Sequence, residues 1–276
     1  HPDFNNPDSE QVVAIEDNPY IMVQKKRARG EHRRSKDWRS LSFEPLPSTK
    51  EEINQIASIY EENRPDVYVQ QRASERNLKA LKSPGILHIA THGFFLADQK
   101  TDSERDLDKK KKKTVFPNNP FNNFAKPNIE NPLVRSGIAL AGANAKGDLD
   151  ERLDDGLATA MELSGMDLRG TDLVILSACD TGVGKNRKGQ GVIGLRRAFQ
   201  QAGARSLVMS LWKIPDEETK DLMVDFYNRL KNGKSKLTAL REASLAVMRT
   251  TKDKTGSTNP FYWGGFILIG SPEGHL

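Results

Sequence analysis

One histidine and one cysteine stand out by where they fall. His92 follows the apolar run Ile86–Ala90 (ILHIA) and is followed at once by Gly93. Cys179, the single cysteine of the chain, follows Leu173–Ala178 (LVILSA) and is followed three residues later by Gly182. A thiol of pKa ~8.5 is mostly protonated at neutral pH and becomes a nucleophile beside a base or a cation. An imidazole can take that proton and later return it to a leaving amine. The pair suits nucleophilic acyl transfer. Glycines beside both residues let a substrate approach the backbone, and the Gly93 and Cys179 amides are candidates to hold an oxyanion. Each residue alone also has a plainer reading. A lone cysteine after an apolar strand is often a small buried hydrophobe, and a lone histidine is often structural. His88 shares strand parity with His92 and reads as a hydrogen-bonded structural residue. No third ligand at metal-like spacing completes a two-histidine metal site.

These positions gain meaning from the elements that carry them. Ser48 followed by Glu51 predicts a capping box, opening a helix with Ile53, Ile56, Ala57 and Tyr60 on one face. Asp66–Val69 reads as a strand, Ser74–Leu81 as a helix and Ile138–Ala141 as a strand. Leu157–Leu163 and Gly191–Ala202 read as helices, with Ser206–Leu211 the next strand. Asp216 is the expected cap of a helix ending near Leu230, and Ser235 opens another that reaches about Arg249. Phe266–Ile269 is a last strand. The uncharged, β-branched LVILSA run has the composition of a central parallel strand. Strands alternating with helices predict an α/β fold with a mostly parallel central sheet flanked by helices. Ligands of such sheets gather at the carboxyl ends of strands, where His92 and Cys179 fall.

Charge narrows the partners. The 276 residues hold 42 basic and 37 acidic side chains, a net +5. Residues 24–39 alone carry eight basic and two acidic residues, so the basic balance is local and no whole-protein nucleic-acid footprint exists. Nucleic-acid contact is restricted to that stretch, whose plainer reading is a solvated loop. Residues 1–47 read as an N-terminal segment with one edge strand at Tyr20–Val23, and residues 48–276 as the domain. Within it, residues 98–132 combine Asp102, Glu104, Asp106 and Asp108, the run Lys109–Lys113 that follows them and an Asn/Pro-rich stretch. They read as a flexible insertion open to cleavage. No apolar run approaches a membrane span, and residues 1–24 lack a secretory leader. A chain opening on His1 reads as a piece of a longer protein. One cysteine excludes an intramolecular disulfide and multi-cysteine zinc sites, and a reduced, cytoplasmic setting is expected. Gly182-Val183-Gly184-Lys185 departs from a P-loop, since Asn186 stands where Ser or Thr belongs. Gly189–Gly194 matches G-x-G-x-x-G, but a dinucleotide fingerprint needs that turn directly after the strand. Asp216 comes about twenty residues later, as that fingerprint's acidic residue would, but it has its simpler role as a cap.

Five strings in order carry a more specific signal: LHIATHGFF (87–95), NPLVRSGIALAGAN (131–144), DDGLATAMELSGMDLRGTDLVILSACDTGVG (154–184), GQGVIGLRRAFQQAGARSLVMSLWKIPDEET (189–219) and NPFYWGGFILIG (259–270). Together with FEPLPSTKEEINQIA (43–57), they resemble the CHAT peptidases, caspase-like cysteine proteases often fused to tetratricopeptide repeats. The resemblance implies a caspase–hemoglobinase fold with Cys179 as nucleophile, His92 as general base and the Gly93 and Cys179 amides as oxyanion donors. It implies that Ser177, two before the nucleophile, lines a substrate pocket. It also implies that Ser210-Leu211-Trp212 forms the edge pairing with substrate, Trp212 walling a pocket or serving as core. Asp155 is then a candidate to select a basic substrate residue, its plainer reading being a turn aspartate. The implied reaction is endopeptidase cleavage of a protein substrate, without metal or organic cofactor, under an activating sensor or repeat region outside this chain. Relatives act in bacterial defence and regulated cell death. A catalytically silent interaction module of the same fold is the alternative. The sequence departs from the family in the lysine-rich insertion between His92 and Cys179, and in Gln190, where many relatives carry an acid.

Overall fold

The computed structural model describes residues 12–15, 41–96, 131–144, 155–177, 179–180 and 190–273. The expected edge strand at Tyr20–Val23, the basic stretch and the lysine run lie outside the described residues. Ten strands are described: β1 (Val12–Ile15), β2 (Asp66–Tyr68), β3 (Ile86–Ile89), β4 (His92–Phe95), β5 (Ser136–Ala139), β6 (Leu157–Thr159), β7 (Leu173–Leu176), β8 (Cys179–Asp180), β9 (Ser206–Ser210) and β10 (Phe266–Gly270). The α-helices are α1 (Thr49–Ile59), α2 (Glu75–Ala80), α3 (Ala160–Leu163), α4 (Gln190–Ala202), α5 (Asp216–Lys231) and α6 (Lys236–Thr255).

Six strands form one sheet in the order β10-β9-β7-β3-β1-β2. Its centre is parallel: β3 pairs with β7, and β7 with β9. Antiparallel strands flank it, β10 on one side and β1 with β2 on the other. The period-2 alternation of strands assigns each side chain to a face. Leu87, Ile89, Val174, Leu176, Leu207 and Met209 join the core that contains Leu163, Leu195, Ala198 and Phe199 from α3 and α4. Ile86, Ile175 and Val208 join the opposite core, with Ile56 from α1, Phe226 from α5 and Val247 from α6. The central strands thus need apolar residues at nearly every position, which is why they read as unbroken hydrophobic runs.

Several local readings change. Ser48 precedes α1, but its hydroxyl makes no capping bond; the backbone there is already helical, with φ -81° and ψ -13°. Its N–H donates to Asp216 Oδ2 at 2.7 Å instead. Asp216 is consequently the first residue of α5 rather than its cap, the flanking position being Pro215. Leu157–Leu163 is not one helix. Its first half is β6, paired with β5, and the helix starts only after Thr159, whose hydroxyl and Glu162 form a reciprocal capping box. Val12–Ile15, which lies between β2 and β3 in the sheet, was not anticipated from a four-residue apolar run in a polar segment.

Candidate functional site

A second sheet, β6-β5-β4-β8, continues the first beyond its carboxyl edge. The chain leaves β3 at Ile89 and enters β4 at His92; it leaves β7 at Leu176 and enters β8 at Cys179. Ile89 is the register partner of Leu176, and His92 of Cys179. Both strands advance by three residues across the break, so the parallel register carries over unchanged. At a strand spacing of about 4.8 Å, the backbone positions of His92 and Cys179 are direct neighbours. Gly93 stands opposite Asp180 on one side and Ile138 on the other.

The His92 ring is buried, 3% exposed. Its Nε2 lies 2.5 Å from the Glu44 carbonyl oxygen. A carbonyl only accepts, so Nε2 carries the hydrogen, and Nδ1 is the basic nitrogen of the neutral ring. Phe43 packs on the ring, centroids 5.7 Å apart. Burial holds the His92 pKa below the ordinary histidine value; the Glu44 carbonyl bond and the charge of Asp216 oppose this, and Lys213 adds to it. The ring is therefore neutral at pH 7, the form a general base requires. The Phe43–Glu44 segment that holds it is itself anchored. Phe43 N–H donates to Asn144 Oδ1 at 2.9 Å, and Asn144 Nδ2 returns a bond to the Phe43 carbonyl at 2.8 Å.

His88 has another environment. Its Nε2 lies 2.9 Å from Glu52 Oε1 and 3.2 Å from Ser177 Oγ, while Nδ1 lies 3.1 Å from the Tyr227 hydroxyl. Ser177 Oγ donates to the same Glu52 oxygen at 2.9 Å. Burial pushes the Tyr227 phenol well above its ordinary pKa, with Tyr60 and Glu52 reinforcing the shift. Tyr227 thus stays protonated and donates to Nδ1, leaving Nε2–H for Glu52. His88 is the hydrogen-bonded structural histidine expected from the sequence.

The substrate-facing expectations fall in distinct settings. Ser177, 5% exposed, has its hydroxyl engaged with Glu52 and His88. Asp155 accepts from Leu157 N–H at 3.0 Å, an Asx-type turn. That turn is fixed by Gly156 at φ +81°, where an added Cβ would lie 2.2 Å from Ala143 N, and by Glu75 Oε1 accepting from Gly156 N–H at 3.0 Å. Ser210 is the register partner of Phe266, and Leu211 N–H donates to the Gly265 carbonyl at 2.9 Å. Trp212 is partly buried against the α5–α6 side of the core. Its Nε1 donates to the Phe261 carbonyl at 3.0 Å. Gln190 to Gly194 lie within α4, so most of the G-x-G-x-x-G string is helix rather than a turn. Gly182–Lys185 lie outside the described residues. No cluster of three metal-ligating side chains occurs among the described residues. No described helix is long and apolar enough to cross a membrane.

Sequence reasoning missed Glu52, Glu44 and Tyr227. A signal existed for Glu52. It falls on the same helical stripe as Ile53, Ile56 and Tyr60, and a carboxyl on an inward face needs a partner there. Glu44 acts through its backbone, which no residue type announces.

A parallel centre with antiparallel flanks, helices on both faces and two strand exits in matched register define a caspase-like α/β fold. The family model described as the CHAT domain matches residues 4–271, and the chain belongs to that family. Tetratricopeptide repeat protein 28 of Homo sapiens is 41% identical over 81 residues, 29% of this chain and 3% of that protein. Tetratricopeptide repeat protein 28 of Mus musculus is 35% identical over 116 residues, 42% of this chain and 4% of that protein. The chain thus spans a few per cent of the length of these curated relatives.

Proposed function

We propose that the protein is a cysteine endopeptidase in which Cys179 is the nucleophile and His92 the general base. The observation that carries this reading is the parallel register that makes His92 and Cys179 backbone neighbours across β4 and β8. The tautomer of His92 supports it, because Nε2–H is committed to Glu44 and Nδ1 is left as the basic nitrogen. In this reading Nδ1 takes the thiol proton and the thiolate attacks the scissile carbonyl carbon. The amine leaves with the proton from His92, giving a thioester. His92 then deprotonates water, which attacks the thioester, releases the carboxylic acid and returns the thiol. The Cys179 and Gly93 amides are the oxyanion donors. Asp155, Ser210 and Trp212 are the candidate substrate contacts. The step needs no metal or organic cofactor.

The substrate class is a protein or peptide. The relatives bear the name of tetratricopeptide repeats, which supports an activating repeat region attached to or associated with this domain. A cytoplasmic setting follows from a lone cysteine that must stay reduced to react. The deciding experiment incubates wild type, Cys179→Ala and His92→Ala with cell lysate and reads new protein termini by mass spectrometry. Termini made by wild type and absent with both variants are the expected result. Identical termini from Cys179→Ala defeat the assignment and leave the fold as an interaction module.

A further inference from the structure

Glu52 sits on α1, buried at 2% exposure, yet its Oε1 reaches two different strands. It accepts from Ser177, two residues before Cys179, and from His88, four residues before His92. Between the same two strand ends, Ser177 N–H donates to the Ile89 carbonyl at 3.0 Å. One buried oxygen thus joins His88 of β3 to Ser177, the residue just after β7, and so straddles the last register pair, Ile89–Leu176, before each chain crosses into the second sheet. The same helix follows directly on the segment whose Glu44 carbonyl fixes His92. Its start is tied to α5 by the Ser48–Asp216 bond. A fully apolar contact at this point would avoid the desolvation of a carboxyl, an imidazole and a hydroxyl. What the polar network adds is directionality: its bonds define the relative height of two strands and of α1, where apolar packing tolerates sliding.

We propose that Glu52 is a positioning residue for the Cys179–His92 pair, holding the two strand exits and the Glu44 segment in one relative geometry. The assignment rests on the peptidase reading above. It gives Ser177 a positioning role rather than a substrate contact, since its hydroxyl is turned to Glu52. His88 is the second strut, kept in place from its other nitrogen by Tyr227.

The single cysteine makes the test direct. Alkylation of the full chain by iodoacetamide, followed against pH, reports the Cys179 thiol alone. Wild type should show an inflection below the free-thiol value of ~8.5. Glu52→Ala should move the inflection toward that value by about one pH unit and slow labelling at neutral pH several-fold. Glu52→Gln keeps the accepting oxygen and should restore the wild-type profile to within about twofold. A role in stability alone predicts lower urea midpoints with an unmoved inflection in folded Glu52→Ala, and that result overturns the proposal. If Glu52→Ala does not fold, Ser177→Ala removes one of the two bonds. A smaller shift in the same direction supports the clasp, and an unmoved inflection overturns it. A separate arm guards the underlying reading. If His92→Ala and wild type have the same profile, the pair itself fails and the clasp with it. If His92→Ala shifts and Glu52→Ala does not, only the clasp fails.

Discussion

His88 and His92 lie four residues apart on consecutive strands, and both are buried, yet the two ends of that short stretch have different partners. At the lower end, His88 has hydrogen-bond partners on both nitrogens, all of them side chains: Glu52, Ser177 and Tyr227. Every donor there has an acceptor, and the ring acts as a cross-brace between α1, β3, β7 and α5. At the upper end, His92 is oriented by a backbone carbonyl and an aromatic ring, and its register neighbour is Cys179. The comparison teaches that burial alone does not fix what a histidine bonds to. A ring braced by side chains on both nitrogens is consumed by the fold, whereas a ring whose Nε2–H is fixed by a carbonyl is presented in one tautomer with a defined basic nitrogen.

The largest contrast is in catalysis. Cys179→Ala and His92→Ala should each lower kcat/KM for peptide cleavage at least about a thousandfold. His88→Leu should cost less than about a hundredfold, the scale of a small misplacement. Equal losses at the two histidines would break the comparison. Next in size is the shared support. Ile175, the register partner of His88, is fully buried, and Ile175→Ala should cost about 2–5 kcal/mol in urea unfolding. A smaller stability loss belongs to the brace itself. His88→Leu deprives Glu52 of one donor and the Tyr227 hydroxyl of its acceptor, which should cost about 1–3 kcal/mol.

Acid sharpens the difference between the two ends. Burial lowers the His92 pKa in the folded state, so below its ordinary value of about 6.5 the unfolded chain binds more protons at this site than the native one. Its contribution is intact above that value and is lost as pH falls through the lower folded-state pKa. Urea midpoints measured between pH 7.5 and pH 5 should therefore fall more in wild type than in His92→Gln. The smallest expected effect concerns a bond the sequence promised and the fold does not make. Ser48→Ala should change stability by less than about 0.5 kcal/mol, since no capping bond is lost. Asp216→Ala, which removes the acceptor of Ser48 N–H, should cost more.

Much of this architecture was legible in residue order, and the parts that were not share a cause. Runs such as LVILSA and ILHIA declare buried parallel strands because both faces must be apolar. The Leu222, Met223, Phe226 and Leu230 stripe of α5 declares a helix by its period. Leu157–Leu163 misled because strand pairing with β5 outweighed the helical propensity of its first three residues. Ser48 and Asp216 misled because each matches a local capping rule, while tertiary contact joined the two to each other over 168 residues. Trp212 left two readings open, and its indole bond to the Phe261 carbonyl is a contact between segments no local rule connects.

The order of residues by itself determined the alternation of strands and helices, the family, and the delivery of one imidazole and one thiol to two strand ends. Those are consequences of side-chain period and of strings read in sequence. Only the tertiary structure decided that β3 and β7 carry their register across the break, that a carbonyl from residue 44 sets the His92 tautomer, and that Glu52 joins both strands from a third element. Register between strands and the choice of a backbone partner are set by packing in three dimensions, and no local pattern of residue types encodes them.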